Sequence, residues 1–164
     1  MNIVLVGMSG SGKTTVAHQL SVLADMERID CDEEIERRFG KISKIFEEHG
    51  EEFFRDIEAN VVKDCSFKQS AIISTGGGCL LRQENAELLK RNGKIVYLRT
   101  SKAELEKRLK GDRTRPLLAG NLKSKLKKML AVRDTIYSTN ADLIIDTDGL
   151  SPEEVAKAIW ENVK

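Results

Sequence analysis

The sequence predicts an α/β protein in three layers, α/β/α, built on a five-stranded parallel sheet, and three observations predict it. Short runs rich in Val, Ile and Leu recur along the chain, separated by stretches of helical periodicity. Continuous apolar strands between helices are the pattern of a parallel sheet covered on both faces. Glycine clusters follow the first and third of these runs, at the sheet edge where such folds place ligands. Finally, 164 residues without a repeat or low-complexity linker suit one core, so the whole of 1–164 reads as a single domain.

Taken in order, Asn2 to Val6 reads as the first strand, followed by glycines and a helix from Lys13 to Ala24. Arg28 to Asp30 is a short second strand. Residues 32–67 form a helical insertion broken at Gly40 and Gly50, whose later part carries an apolar stripe of Phe54, Ile57 and Val61. Ala71 to Ser74 is the third strand and ends at Gly76-Gly77-Gly78. Asn92-Gly93 stops a helix before the fourth strand, Lys94 to Leu98. Ser101-Lys102-Ala103-Glu104 is a capping box ahead of Leu105 and Leu109. Residues 111–120 read as a loop with glycines at both ends, two arginines, and exposed Leu117 and Leu118. Asp142 to Ile145 is the fifth strand, and Ser151-Pro152-Glu153-Glu154 opens the last helix with a second capping box. The core would comprise about 1–31, 71–110 and 121–164. Insertions such as 32–67 and 111–120 commonly bind substrate and close over it.

Composition removes several functional classes. Twenty-seven basic against 26 acidic side chains leave a net charge of +1, too little to coat nucleic acid or an anionic membrane. Aromatic residues at 5% give no base-stacking platform. Apolar runs fall short of the ~20 residues of a membrane span. The first residues show no secretory pattern, so the expected address is cytoplasmic. Cys31, Cys65 and Cys79 have no C-x-x-C spacing, and with only two histidines they read as reduced, packed thiols.

The most specific motif is Gly7-Met8-Ser9-Gly10-Ser11-Gly12-Lys13-Thr14, which matches G-x-x-x-x-G-K-[ST] between a strand and a helix. Glycines let successive backbone N–H groups converge on phosphate, and the helix N-terminus adds partial positive charge. Lys13 can reach the β- and γ-phosphates, and the Thr14 hydroxyl can hold Mg²⁺. The chain therefore binds a nucleoside triphosphate, and the fold is of the P-loop NTPase type. No N-K-x-D element supports a GTPase.

The acceptor must be read elsewhere. Asp30 and Asp32 close the second strand and, by alternation, project to one side at its carboxyl end. One can serve the Mg²⁺ shell and the other an acceptor hydroxyl, although Asp32 can also cap the helix Glu33 to Phe39. Arg55 lies beside the apolar stripe with Glu58 one turn on, where a lone arginine is otherwise a solvated or paired surface residue. Gly76, Gly77 and Gly78 permit close backbone approach to a ligand, or form a flexible turn.

Together these elements resemble the shikimate kinases: G-M-S-G-S-G-K-T-T, D-C-D-E-E-I-E, G-E-E-F-F-R-D-I-E, T-G-G-G, R-x-R-P-L-L-A-G and R-D-T-I-Y occur in the family's order over essentially the whole chain. Two departures stand out. Gly40 to Phe46 is one residue shorter than the family's G-x-x-I-x-x-I-F, and Cys31 replaces the more usual serine or threonine. The resemblance implies transfer of the γ-phosphoryl group of ATP to the 3-hydroxyl of shikimate, with Mg²⁺, on the route to chorismate and the aromatic amino acids. It implies an ATP site of Gly7, Ser9, Gly10, Ser11, Gly12, Lys13, Thr14 and Thr15, with Arg108 over the adenine and Arg115 on the transferring phosphoryl group. Asp32 would hold the acceptor hydroxyl and take its proton. Arg55 and Arg133 would clamp the shikimate carboxylate, with Gly76, Gly77 and Gly78 closing the pocket. Thr14 would bind Mg²⁺ directly, and Asp30 and Ser74 through water. The expected working unit is a monomer with no nucleic-acid or membrane partner. Two alternatives remain at this level: a kinase for gluconate or a nucleoside monophosphate, and a nucleotide-binding regulatory module without chemistry.

Overall fold

The structure is a computed structural model that describes residues 1–112 and 115–164. Arg113, the first arginine of the 111–120 loop, lies outside the described residues. The strands β1 (Asn2–Val6), β2 (Glu27–Asp30), β3 (Ala71–Ser74), β4 (Gly93–Arg99) and β5 (Leu143–Asp146) form one sheet in the order β2-β3-β1-β4-β5. All four neighbouring pairs are parallel. The helices are α1 (Lys13–Ala24), α2 (Cys31–Phe39), α3 (Ile42–Ser66), α4 (Gln83–Arg91), α5 (Lys102–Leu109), α6 (Leu122–Asn140) and α7 (Pro152–Val163).

Strand alternation divides the core between the two faces. Ile3, Leu5, Ile72, Val96 and Leu98 pack against Val16, Ala17 and Leu20 of α1 and Val155, Ala156 and Ile159 of α7. Val4, Val6, Ile73, Ile95 and Tyr97 face the other way, toward Ile35, Val61, Val62, Leu89 and Tyr137. Leu20 and Ile159 are wholly buried, and each contributes about 1.5–3 kcal/mol by leaving water. The two predicted α layers and the central sheet are all present.

Several local expectations change. β2 ends at Asp30, so Asp30 and Asp32 do not alternate on one strand. Asp30 is the N-cap of α2, its Oδ1 accepting the Glu33 N–H at 3.1 Å, and Asp32 sits in the helix's first turn. The shorter stretch after α2 turns at Gly40, and Glu36 Oε2 accepts the Ile42 N–H at 3.0 Å to start α3. Within α3, Gly50 has φ 83° and kinks the helix where the sequence predicts a break.

The two capping boxes also differ. Ser151 and Glu154 form both reciprocal bonds. Ser101 accepts the Glu104 N–H at 3.2 Å, but its own N–H donates to Asp148 at 3.0 Å, and Glu104 turns to Arg108. Asn92 ends α4 at φ −131°, so no left-handed cap is used there. Gly93 is favoured for a different reason: a Cβ would lie 3.1 Å from both the Asn2 and Leu89 carbonyl oxygens, a tight fit against backbone. In the 111–120 loop Leu118 is buried in a 3₁₀ turn, Pro116–Leu118, and Leu117 is half-buried, contrary to the expected exposure.

Candidate active site

The phosphate cradle is built by the turn between β1 and α1. A Cβ on Gly7 would lie 2.8 Å from the Leu98 carbonyl oxygen, so the turn closes tightly against β4. Lys13, buried at the start of α1, donates through Nζ to the carbonyls of Gly7 at 2.6 Å and Met8 at 3.0 Å. Burial lowers its pKa to about 8, against the opposing pull of Asp32 and Asp30. The ammonium is thus folded onto its own loop, in reach of any phosphate that displaces those carbonyls.

Thr14 Oγ1 donates to Asp30 Oδ2 at 3.0 Å, while the other oxygen of the same carboxylate caps α2. Ser74 pairs in register with both Asp30 and Leu5, which brings its hydroxyl to the same sheet edge. Thr14, Asp30, Asp32 and Ser74 all line a cavity of about 220 Å³ beside the cradle. Among the described residues no cluster of three or more Asp, Glu, His or Cys could hold a metal alone. One or two carboxylates with hydroxyl oxygens instead suit Mg²⁺, which keeps several waters and takes substrate phosphates.

A larger cavity of about 760 Å³ lies next to it, roofed by Pro116 and Leu118 and walled by Phe46, Phe54 and Met129. Its polar lining includes Arg55 and Arg133, both buried. Arg55 binds Glu58 Oε1 through Nη1 at 2.9 Å and Glu51 through Nη2 at 3.2 Å. Burial works against its charge, and the two glutamates outweigh burial and raise its pKa. Arg133, with less compensation, has its pKa lowered by burial. Two buried guanidinium groups lining one chamber are matched to a carboxylate, which accepts paired N–H bonds.

Asp32 faces both cavities, as do Ser9, Gly77 and Arg115. Burial, reinforced by Asp30, raises the Asp32 pKa, and Lys13 opposes the rise. A carboxylate so placed can accept a proton from a hydroxyl in the larger cavity. Arg115 lies 3.7 Å from Asp112 Oδ2 and is the guanidinium at the cavity junction.

The glycine triplet proves to be a close-approach device, with none of its φ angles in the left-handed region. A Cβ on Gly78 would lie 2.6 Å from Arg55 Cζ. One on Gly76 would lie 2.8 Å from Asp32 Oδ1 and 3.0 Å from Glu58 Oε2. The backbone therefore packs directly on the Arg55, Asp32 and Glu58 side chains.

Arg108 stands apart from the larger cavity. It donates to the Gly10 carbonyl at 3.1 Å and borders a third cavity of about 230 Å³ with Ser11, Gly12 and Thr15. Thr147, Leu150, Pro152 and Val155 complete that cavity, and the sequence pointed to none of the last three as a site residue. It also gave no role to Phe46, Met129, Glu58 or Tyr137. Glu58 and Tyr137 carried a signal, standing one helical turn from Arg55 and Arg133 respectively.

Comparison with known proteins gives a consistent answer. The family model described as Shikimate kinase matches residues 9–164. The chain is 45% identical over 160 residues to a Shikimate kinase of Caldicellulosiruptor bescii, covering 96% of this chain and 92% of that protein. A Shikimate kinase of Thermodesulfovibrio yellowstonii is 44% identical over the same share of both chains. Among solved structures, the Acinetobacter baumannii shikimate kinase in complex with shikimate superposes with a TM-score of 0.96 at 38% identity, covering 99% of this chain and 92% of that one. The Aquifex aeolicus enzyme gives a TM-score of 0.87 at 37% identity, covering 99% and 96%. A phosphate cradle joined to a guanidinium-lined chamber, matched along nearly the full chain by these relatives, places this protein in the shikimate kinase family.

Proposed function

We propose that this protein transfers the γ-phosphoryl group of ATP to the 3-hydroxyl of shikimate, yielding shikimate 3-phosphate and ADP in the pathway to chorismate and aromatic amino acids. The observation that carries the reading is the shared wall between the two cavities, where Asp32 and Arg115 face both the phosphate cradle and the guanidinium-lined chamber. ATP lies with its phosphates on residues 7–15 and its adenine toward Arg108 in the third cavity. The shikimate carboxylate sits between Arg55 and Arg133, with the backbone of Gly76, Gly77 and Gly78 beneath it. The 3-hydroxyl gives its proton to Asp32 as its oxygen bonds to the γ-phosphorus, and the bond from that phosphorus to the β–γ bridging oxygen breaks to release ADP. Lys13 and Arg115 neutralise charge on the oxygens of the moving group. Mg²⁺ would be held by Thr14 directly and by Asp30 and Ser74 through water, and it supplies charge neutralisation at the phosphates.

The test is an ADP-release assay with shikimate, gluconate, CMP and AMP offered separately. Turnover with shikimate alone is expected. Turnover with another acceptor and none with shikimate would overturn the reading in favour of that kinase. Nucleotide binding without turnover on any of the four would favour a regulatory module.

A further inference from the structure

Tyr137 is buried in the acceptor half of the molecule, one turn beyond Arg133 on α6. Its hydroxyl donates to the Gly77 carbonyl oxygen, a residue on the wall common to both cavities. Arg133 lies one helical turn away, where the phenol opposes the burial that lowers the guanidinium's pKa. Arg133 in turn approaches the glycine turn, its Nη1 lying 3.4 Å from where a Gly77 Cβ would be. The phenol therefore holds a piece of cavity-lining backbone beside a cavity-lining cation that is distant from it in the sequence.

The phenol is itself held rigidly. Its ring packs on Tyr97 at a centroid distance of 4.9 Å and 41°, and Tyr97 donates to Asp134 Oδ1 at 2.7 Å. Two tyrosines thus lock α6 to β4 and to the turn after β3. Burial raises the Tyr137 pKa to about 12, so the hydroxyl keeps its proton and its donor role at neutral pH.

We propose that the Tyr137 hydroxyl is a positioning device: it sets the separation between the Arg133 guanidinium and the glycine turn 76–78, and so fixes the carboxylate-binding end of the acceptor chamber. The inference rests on the reading that Arg133 meets the acceptor's carboxylate. Without the hydroxyl, the Gly77 carbonyl loses its donor and the turn against which Arg133 lies is free to shift, while the packed ring stays in place.

The experiment is a cycle of Tyr137→Phe, Arg133→Ala and the double variant, with Tyr97→Phe as a packing control. Tyr137→Phe is expected to raise the shikimate KM on the order of tenfold, with ATP KM and kcat changing less than about threefold. Tyr97→Phe loses a hydrogen bond of the same network and is expected to lower Tm without that KM shift. In the Arg133→Ala background the further change from Tyr137→Phe should nearly vanish, because the hydroxyl acts through Arg133. Fully additive effects, or equal shikimate losses in the two tyrosine variants, would assign the result to packing and overturn the proposal. A normal shikimate KM in Arg133→Ala alone would overturn the clamp and this inference with it. A normal KM in Tyr137→Phe beside a raised one in Arg133→Ala would overturn this inference alone.

Discussion

Lys13 has a charge that its burial disfavours. With its pKa lowered to about 8 by burial, the folded chain lacks a proton that the unfolded chain holds up to about pH 10. Between those values stability rises with pH, and below them the buried ammonium costs about 3 kcal/mol. Bound phosphates would restore the charge, so ATP binding above pH 8 should take up a proton, and affinity should fall as pH rises through this window. Calorimetry at pH 9 in two buffers of different ionisation heat should show uptake approaching one proton, against little at pH 7.5. Lys13→Met should abolish both the uptake and turnover while melting near wild type; uptake persisting in that variant would move the titrating group elsewhere. The cradle was legible in the sequence because its spacing alone dictates the backbone shape. The two aspartates were only half legible: both reach the ligand edge, but Asp30 caps α2 and Asp32 rides on that helix. A cap and a strand end look alike in sequence when both require a carboxylate.

At the scale of elements, the 111–120 loop shows how a local pattern misleads. Pro-Leu-Leu in a glycine-bounded loop reads as exposed, yet Leu118 joins the core cluster that holds Leu126 because the 3₁₀ turn rotates it inward. Leu118 therefore anchors the described part of the loop over the chamber, and Arg115 lies just before that anchor. Arg115→Ala should depress kcat on the order of 10³-fold while weakening either substrate much less, because the contact matures in the transition state. Steady-state kinetics with both substrates checks this, and a kcat within threefold of wild type would reduce Arg115 to its ion pair with Asp112. Amide exchange in 115–120 should slow when ATP and shikimate are both present. The glycine triplet teaches the same lesson. Its position was legible, but the reason was not, since only the fold shows Arg55, Asp32 and Glu58 pressed against that backbone.

At the scale of the whole molecule, strand existence was legible from apolar runs and strand order was not. Nothing local in residues 71–74 states that β3 inserts between β1 and β2, yet that insertion sets Ser74 beside Asp30. The chamber between α2, α3 and α6 is a product of this order, so acceptor and nucleotide should each stabilise the fold as a unit. Saturation at about a hundred times Kd adds about 2.7 kcal/mol per ligand, a rise of several degrees in Tm. A shikimate effect lost in Arg55→Ala, with the ATP effect intact, would separate the two chambers. The central place of β1 has a consequence for biosynthesis. Ile3 pairs with Ile72 on one side and Lys94 on the other, so the strand that carries the phosphate turn has no neighbour when it leaves the ribosome. One of its two hydrogen-bonding edges stays open until β4 has emerged, which makes folding of the nascent chain dependent on late, long-range pairing.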